Sequence, residues 1–211
     1  MYIPKFNEET RLEILHGLIR SQPFATLVTM GSSGLIASHL PMVLSPGEGT
    51  PDILRGHISR ANPQWREFDP SIEALAIFAG PQHYITPNWY PEKAEDGKVV
   101  PTWNYAVVHA YGSIRITEDP AWLLTHLKSL TTQHEAAYPR PWAVTDAPED
   151  YIASQIRGIV GLEIPIRHLE GKWKVSQNKS DRTKESIEHG LEDLNTPASL
   201  AMRDLVRGKR P

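Results

Sequence analysis

Proline sets the first limit on this chain. There are 18 prolines in 211 residues, spread from Pro4 to Pro211. Each lacks a backbone N–H and resists the interior of a helix or a central strand. So many breakers argue against a helical bundle and for many short elements separated by loops. Apolar residues still make up 40% of the chain, enough to bury a sizeable core. The length suits one large domain or two small ones.

Composition removes several classes of function. There is no cysteine, so disulfides, thiolate metal sites and cysteine nucleophiles are excluded. The formal charge of -3 does not give the broad basic field of a nucleic-acid binder. Met1–Phe6 lacks the pattern of a signal peptide. No apolar run approaches the ~20 residues of a membrane span, and a cytoplasmic, membrane-free protein is expected.

The local pattern predicts mostly antiparallel β structure with helices. A helix is expected over the Leu12, Leu15, Leu18 and Ile19 repeat, capped by Asn7 and stopped at Gln22-Pro23. Phe24–Met30 and Leu35–Leu44 read as a hairpin around Gly31-Ser32-Ser33-Gly34, and Ile53–Ser59 as a third strand. A short helix is expected within Ala61–Phe68, a strand over Ala74–Ala79, and a β-rich stretch over Thr102–Thr117. Asp119-Pro120 starts a helix running to about Ala137, with Leu123, Leu127 and Leu130 buried. Pro148 opens another, to about Arg157. Ile159–Leu169 and Lys172–Ser176 read as a closing hairpin around Glu170-Gly171. Ser45–Asp52, Pro91–Lys98 and the segment from Asn195 read as loose. The order favours a small antiparallel barrel with peripheral helices over a Rossmann or TIM architecture.

Familiar catalytic motifs are missing. There is no dinucleotide or P-loop glycine pattern, no nucleophile elbow and no SxxK pair. His134-Glu135 lacks the second histidine of a zinc protease helix, and no metal site is expected. His126 and His134 read as ordinary helix-surface or core-edge residues.

Four polar clusters stand out instead. In Arg55–Pro63, His57, Ser59 and Arg60 end a strand and Ala61-Asn62-Pro63 turn into a helix. Free N–H groups, a serine hydroxyl and a guanidinium fork there make an anion cradle. The plainer reading is that Ser59 caps the helix and Arg60 is a solvated surface charge. The Ser38-His39 pair lies on the second strand. In Val100–Tyr105, Trp103 suits an aromatic ring and Asn104 a heterocycle edge, or Trp103 simply packs at a strand start. In Gly171–Asn178, Trp173 is expected in the core, with Lys174, Ser176 and Gln177 as donors.

Taken together, these blocks resemble the PaiB family of FMN-binding negative transcriptional regulators, in the FMN-binding split-barrel superfamily. Carrying the resemblance are Met1–Pro4, Pro23–Val28, Ser38–Pro41, Gly56–Pro63, Tyr84–Tyr90, Val100–Tyr105 and Gly171–Asn178. It implies a mainly β, α+β six-stranded split barrel over residues 1–192, followed by a tail over 193–211 with a short helix. It also implies a homodimer with FMN at the subunit interface. Ser59 and Arg60 would hold the FMN phosphate, with Thr26, Ser38, His39, His57 and Asn62 beside the flavin. Trp103, Asn104, Lys174 and Gln177 would close the site, from the partner subunit. His39 and His57 are the proton-transfer candidates, because histidine titrates near neutrality. Haem binding, a flavin-dependent oxidoreductase of unknown substrate and direct DNA reading are the rival functions. The charge disfavours direct DNA binding, and no residue is assigned as catalytic.

Overall fold

The computed structural model describes residues 1–47 and 52–210. The middle of the loose Ser45–Asp52 stretch, residues 48–51, lies outside the described residues. The described residues are α+β, with one sheet of six strands and one of four, and every strand pair with a stated register is antiparallel. The chain divides into two compact units, one of 1–22, 78–109 and 170–211 and one of 23–77 and 110–169.

In the first unit, a 3-10 turn (Lys5–Asn7) leads into β1 (Glu8–Glu9) and α1 (Leu12–Ser21). The helix buries Leu15, Leu18 and Ile19, the face their spacing predicts. Its start differs from expectation. Asn7 is buried in the preceding turn, and Arg11 occupies the cap position without a side-chain bond. Glu8 and Glu9 are taken up by pairing with β10 (His168–Lys174), opposite Lys172 and Gly171. The Glu9 carboxylate accepts the Arg11 backbone N–H at 3.1 Å and its guanidinium at 2.6 Å. That ion pair and those bonds hold its pKa below the usual carboxylate range against the opposing effect of burial.

The rest of this unit holds the end of β6 (Ala74–Ile85), a one-turn α3 (Glu92–Glu95) within Pro91–Lys98, and most of β7 (Thr102–Gly112). It closes with α6 (Asp181–Leu194) and α7 (Pro197–Val206). Ser180 and Thr196 cap these helices through Thr183 and Ser199 N–H groups. The segment beyond residue 192 therefore carries α7, which packs on α6 and buries Met202, Leu205 and Val206.

In the second unit, β2 (Phe24–Gly31) and β3 (Gly34–Pro41) form the expected hairpin, with Gly31 opposite Gly34. The turn is Ser32-Ser33, and Gly34, at φ +108, takes a conformation that other residues avoid. β2 also pairs with the start of β6, with Thr26 opposite Ile77. The four-stranded sheet runs β4 (Val43–Ser45), β5 (Ile53–Ser59), β9 (Ile159–Pro165) and β8 (Arg115–Thr117). α4 (Pro120–Glu135) and α5 (Glu149–Arg157) pack on it, and α2 (Gln64–Glu67) packs on β2. Asp119 caps α4, with Pro120 in its first turn.

Two expectations need correction here. β9 and β10 are not a hairpin. β9 lies between β5 and β8, whereas β10 joins the other sheet beside β7. The chain leaves β9 after Pro165, and Arg167 N–H donates to the Tyr111 carbonyl. Gly171 is not a turn residue but a point of close approach. A Cβ there would stand 2.2 Å from Leu15 Cδ2 and 2.7 Å from the Glu9 carbonyl oxygen. The second correction concerns α4, whose buried residues are Leu123 and His126, while Leu127 and Leu130 are half-buried.

Candidate functional site

The second unit contains a cleft of roughly 420 Å³. β3 contributes Ser38 and His39, β5 contributes His57 and Ser59, and the following loop contributes Asn62. Leu40, Pro41 and Ile58 supply apolar surface, and Gln155, Gly158 and Ile159 close the side formed by the α5–β9 junction. Alternation along β5 explains the placement. Leu54, Gly56 and Ile58 are buried, which leaves His57 and Ser59 for the opposite face.

The cleft residues are tied together. Thr26 stands opposite His39 in the hairpin, and its hydroxyl lies 3.0 Å from His39 Nδ1. The His39 ring stacks on exposed Phe24. Asn62 donates from Nδ2 to Ser38 Oγ at 2.9 Å and accepts the Gln64 N–H at 3.0 Å. The buried Gln64 amide donates to Leu27 O, Thr29 Oγ1 and Ile36 O, which pins α2 to the hairpin. Ser59 Oγ accepts the Ala61 N–H at 3.2 Å.

Arg60 does not line the cleft. Its guanidinium pairs with Glu118 and donates to the carbonyls of Arg157 and Ile159. Its charge is thus already matched, and two backbone oxygens fix its direction.

His126, by sequence an ordinary helix-surface or core-edge residue, lies behind the cleft. Only 3% exposed, it places Nε2 at 3.1 Å from His57 Nδ1. Its ring stacks on Trp122, with centroids 5.3 Å apart. Trp122 Nε1 donates to Glu163, which also accepts Arg55 Nε at 2.9 Å. Burial, then the charges of His57 and Arg55, lower the His126 pKa to about 4. Burial also holds His57 below the ordinary histidine range. Both rings are therefore neutral near pH 7. The available signal was the three-residue step from Leu123 to His126, which puts both on one helix face, but nothing in the sequence named His57 as its partner.

The remaining predicted residues belong to the first unit. Trp103 is half-exposed, edge-on to Tyr84, and donates from Nε1 to Gln82. Asn104 is fully buried and donates to Ser176 Oγ at 2.9 Å. Ser176 itself holds a φ of 62. Lys174 donates to Thr102 Oγ1 and the Trp103 carbonyl, and burial, then Lys172 and Lys179, lower its pKa. Gln177 accepts the Val175 N–H and donates to the Phe6 and Trp173 carbonyls. Trp173 is buried, as its alternation predicts. Among the described residues no group of three His, Cys, Asp or Glu could hold a metal, and no helix is long and apolar enough to cross a membrane.

Residues 1–168 match the family described as "Putative FMN-binding domain". An uncharacterized protein of Emericella nidulans is 36% identical, over 98% of this chain and 96% of its own length. The Bacillus subtilis protein named protease synthase and sporulation protein PAI 2 is 30% identical, over 99% of this chain and 98% of its own. Among solved structures, the flavocytochrome Anf3 of Azotobacter vinelandii gives a TM-score of 0.57 at 12% identity, covering 82% of this chain and 72% of that one. An FAD- and heme-binding protein of Mycobacterium smegmatis gives 0.55 at 16%, covering 87% and 80%. At these identities the two structures speak for the fold alone.

Proposed function

We propose a function from one premise: the chain belongs to the PaiB family of FMN-binding-domain proteins and has their α+β split-barrel fold. In this reading it is an FMN-binding protein, and the cofactor lies in the Ser38–Asn62 cleft. The observation that carries it is the convergence of Ser38, His39, His57, Ser59 and Asn62 on one cleft.

The donor set fits a flavin. The cleft volume of roughly 420 Å³ falls in the range of small-molecule sites, and its lining joins polar and apolar residues. Pro41, with the little of Leu40 and Ile58 that is exposed, offers apolar surface, while two hydroxyls and two imidazoles supply hydrogen bonds. FMN, when bound, supplies electron transfer that no side chain here provides. The chain's part is to bind and orient. Ser38 is held by Asn62 and His39 by Thr26, so both are placed before a ligand arrives. The phosphate belongs at Ser59 and Arg60 in this reading, with the phosphate replacing Glu118 at the guanidinium.

The functional unit in this reading is a homodimer, with Trp103, Lys174 and Gln177 of one subunit closing the site of the other and the buried Asn104 supporting them through Ser176. Supporting it are the exposed Phe24 and Leu35 on the hairpin that carries His39, apolar surface suited to a second copy. A cytoplasmic flavin-dependent redox or sensor role follows, with any regulation of transcription indirect. The basic residues near the C-terminus are already paired: Arg203 with Glu192 and Asp204, Arg207 with Glu188 and Glu192, and Lys209 with Asp204. Little free positive charge is left there for phosphates.

The test is a titration of purified protein with FMN, followed by visible absorbance and calorimetry. Saturable binding that weakens in a Ser38→Ala, Ser59→Ala double variant supports the cleft. No binding of FMN, with haemin producing a Soret band instead, overturns it in favour of haem.

A further inference from the structure

We infer that His126 is a positioning residue: it donates from Nε2 to His57 Nδ1 and so fixes His57 in the Nε2–H tautomer, making its contribution to the cleft a hydrogen-bond donor. What faces His57 is then an acceptor, such as a carbonyl oxygen or an unprotonated ring nitrogen. The proposal deepens the cofactor reading for the identity of that group. The tautomer itself is independent of it.

The argument starts from the 3.1 Å contact between His57 Nδ1 and His126 Nε2. With both rings neutral, one nitrogen carries the proton and the other accepts it. The other nitrogen of His126 decides which. Nδ1 of His126 is buried and has no partner. Were His57 the donor, His126 would carry its own proton on Nδ1, a buried N–H with nowhere to go. Orphaned buried N–H groups are rare, and an unfilled acceptor is better tolerated. The proton therefore sits on His126 Nε2 and points at His57 Nδ1. His57 Nδ1 is then the acceptor, and its proton resides on Nε2. That atom is not among the buried unpartnered ones, and the ring lines the cleft.

The surroundings hold the pair in this state. Trp122 stacks on the His126 ring and fixes its plane. Arg55, on the same strand as His57, disfavours a charged His126, while Glu163 on β9 is occupied by Arg55 and Trp122. Asp119 at the start of α4 caps that helix through the Ala121 N–H. On the cleft side His39 is the other titratable ring, and it is tied to Thr26. The arrangement follows a general rule, in which the partner of one imidazole nitrogen sets what the other offers.

Long-range proton–nitrogen NMR of ligand-free, nitrogen-15-labelled protein at neutral pH reads the tautomer directly. His57 is expected in the Nε2–H form. His126→Gln keeps a side-chain N–H donor and should preserve that form. His126→Leu removes the donor and should let His57 exchange between tautomers, weakening FMN binding about three- to tenfold, the size of one neutral hydrogen bond. An Nδ1–H form of His57 in the native protein overturns the proposal. So does a His57 spectrum unchanged in folded His126→Leu protein. Failure of FMN to bind any variant, with the tautomer as expected, counts against the cofactor reading and not against the role of His126.

Discussion

Gly161 faces Trp122 so closely that a Cβ at position 161 would lie 2.3 Å from the indole Cζ3. Thr117 Cγ2 would be 2.6 Å away on the same side. The missing side chain on β9 is what lets the indole lie against the strand and stack on His126. Gly161→Ala is therefore expected to cost about 1–3 kcal/mol through overpacking and to weaken FMN binding by disturbing the ring behind His57. Urea denaturation and an FMN titration check both. A variant as stable as the parent would show that the indole has room to move.

Asn62 links the loop after β5 to β3 through Ser38 and starts α2 through Gln64. Asn62→Ala removes both bonds and should lower stability by about 1–2 kcal/mol. Ser38 then loses its orientation, so FMN affinity should fall as well. Thermal unfolding with and without FMN separates the two effects.

Arg60 offers a test with a built-in control. A phosphate at its guanidinium must displace Glu118. Arg60→Ala should weaken FMN about tenfold, while Glu118→Gln should tighten it by a few-fold. Riboflavin, which lacks the phosphate, should bind all three proteins equally. Calorimetry decides, and an unchanged FMN affinity in Arg60→Ala removes the phosphate role.

His126 makes stability depend on pH in a defined direction. In the unfolded chain the ring takes up its proton near 6.5, the ordinary value for histidine, whereas the native ring resists until about pH 4. Between those values the unfolded state binds more protons, so stability is full at neutral pH and declines as pH falls through that window. The loss is about 2–3 kcal/mol, and His57, also held low by burial, adds to the same slope. Urea midpoints from pH 7.5 to 4.5 should show it, with a flatter profile for His126→Gln. Equal slopes in the two proteins would assign the effect elsewhere.

Asn104 should behave as a structural residue. It is fully buried against Ser176, which its bond helps to hold in a left-handed conformation. Asn104→Ala is expected to cost about 1–3 kcal/mol by stranding the Ser176 hydroxyl. The folded fraction should still bind FMN within about twofold. A selective loss of affinity at unchanged stability would instead support direct contact with the flavin.

Much of the fold could be read locally because proline and glycine mark its joints. Pro23 ends the first helix region, Asp119-Pro120 opens α4, Pro148 precedes α5, and Gly34 completes the hairpin turn. Reading failed where a residue serves a distant partner. Gly171 has the chemistry of a turn but is small to admit Leu15 and the Glu9 backbone, far away in sequence. Asn7 has the chemistry of a cap, yet Glu8 and Glu9 are drawn into β10. Five candidates could be gathered from strand-end clusters because β3 and β5 put them on one cleft. His126 was out of reach, since its partner His57 lies 69 residues earlier.

The pairing of β1 with β10 sets a timetable for biosynthesis. The strand at Glu8–Glu9 leaves the ribosome early, but its neighbour at Gly171–Lys172 is made more than 160 residues later. The first unit draws on residues 1–22, 78–109 and 170–211, so it cannot close until the last of these segments has been made. Its apolar residues, Leu15, Leu18 and Ile19 among them, must wait without their final cover. A premature stop before residue 170 would therefore leave that early helix stranded, a predictable substrate for chaperones and proteases.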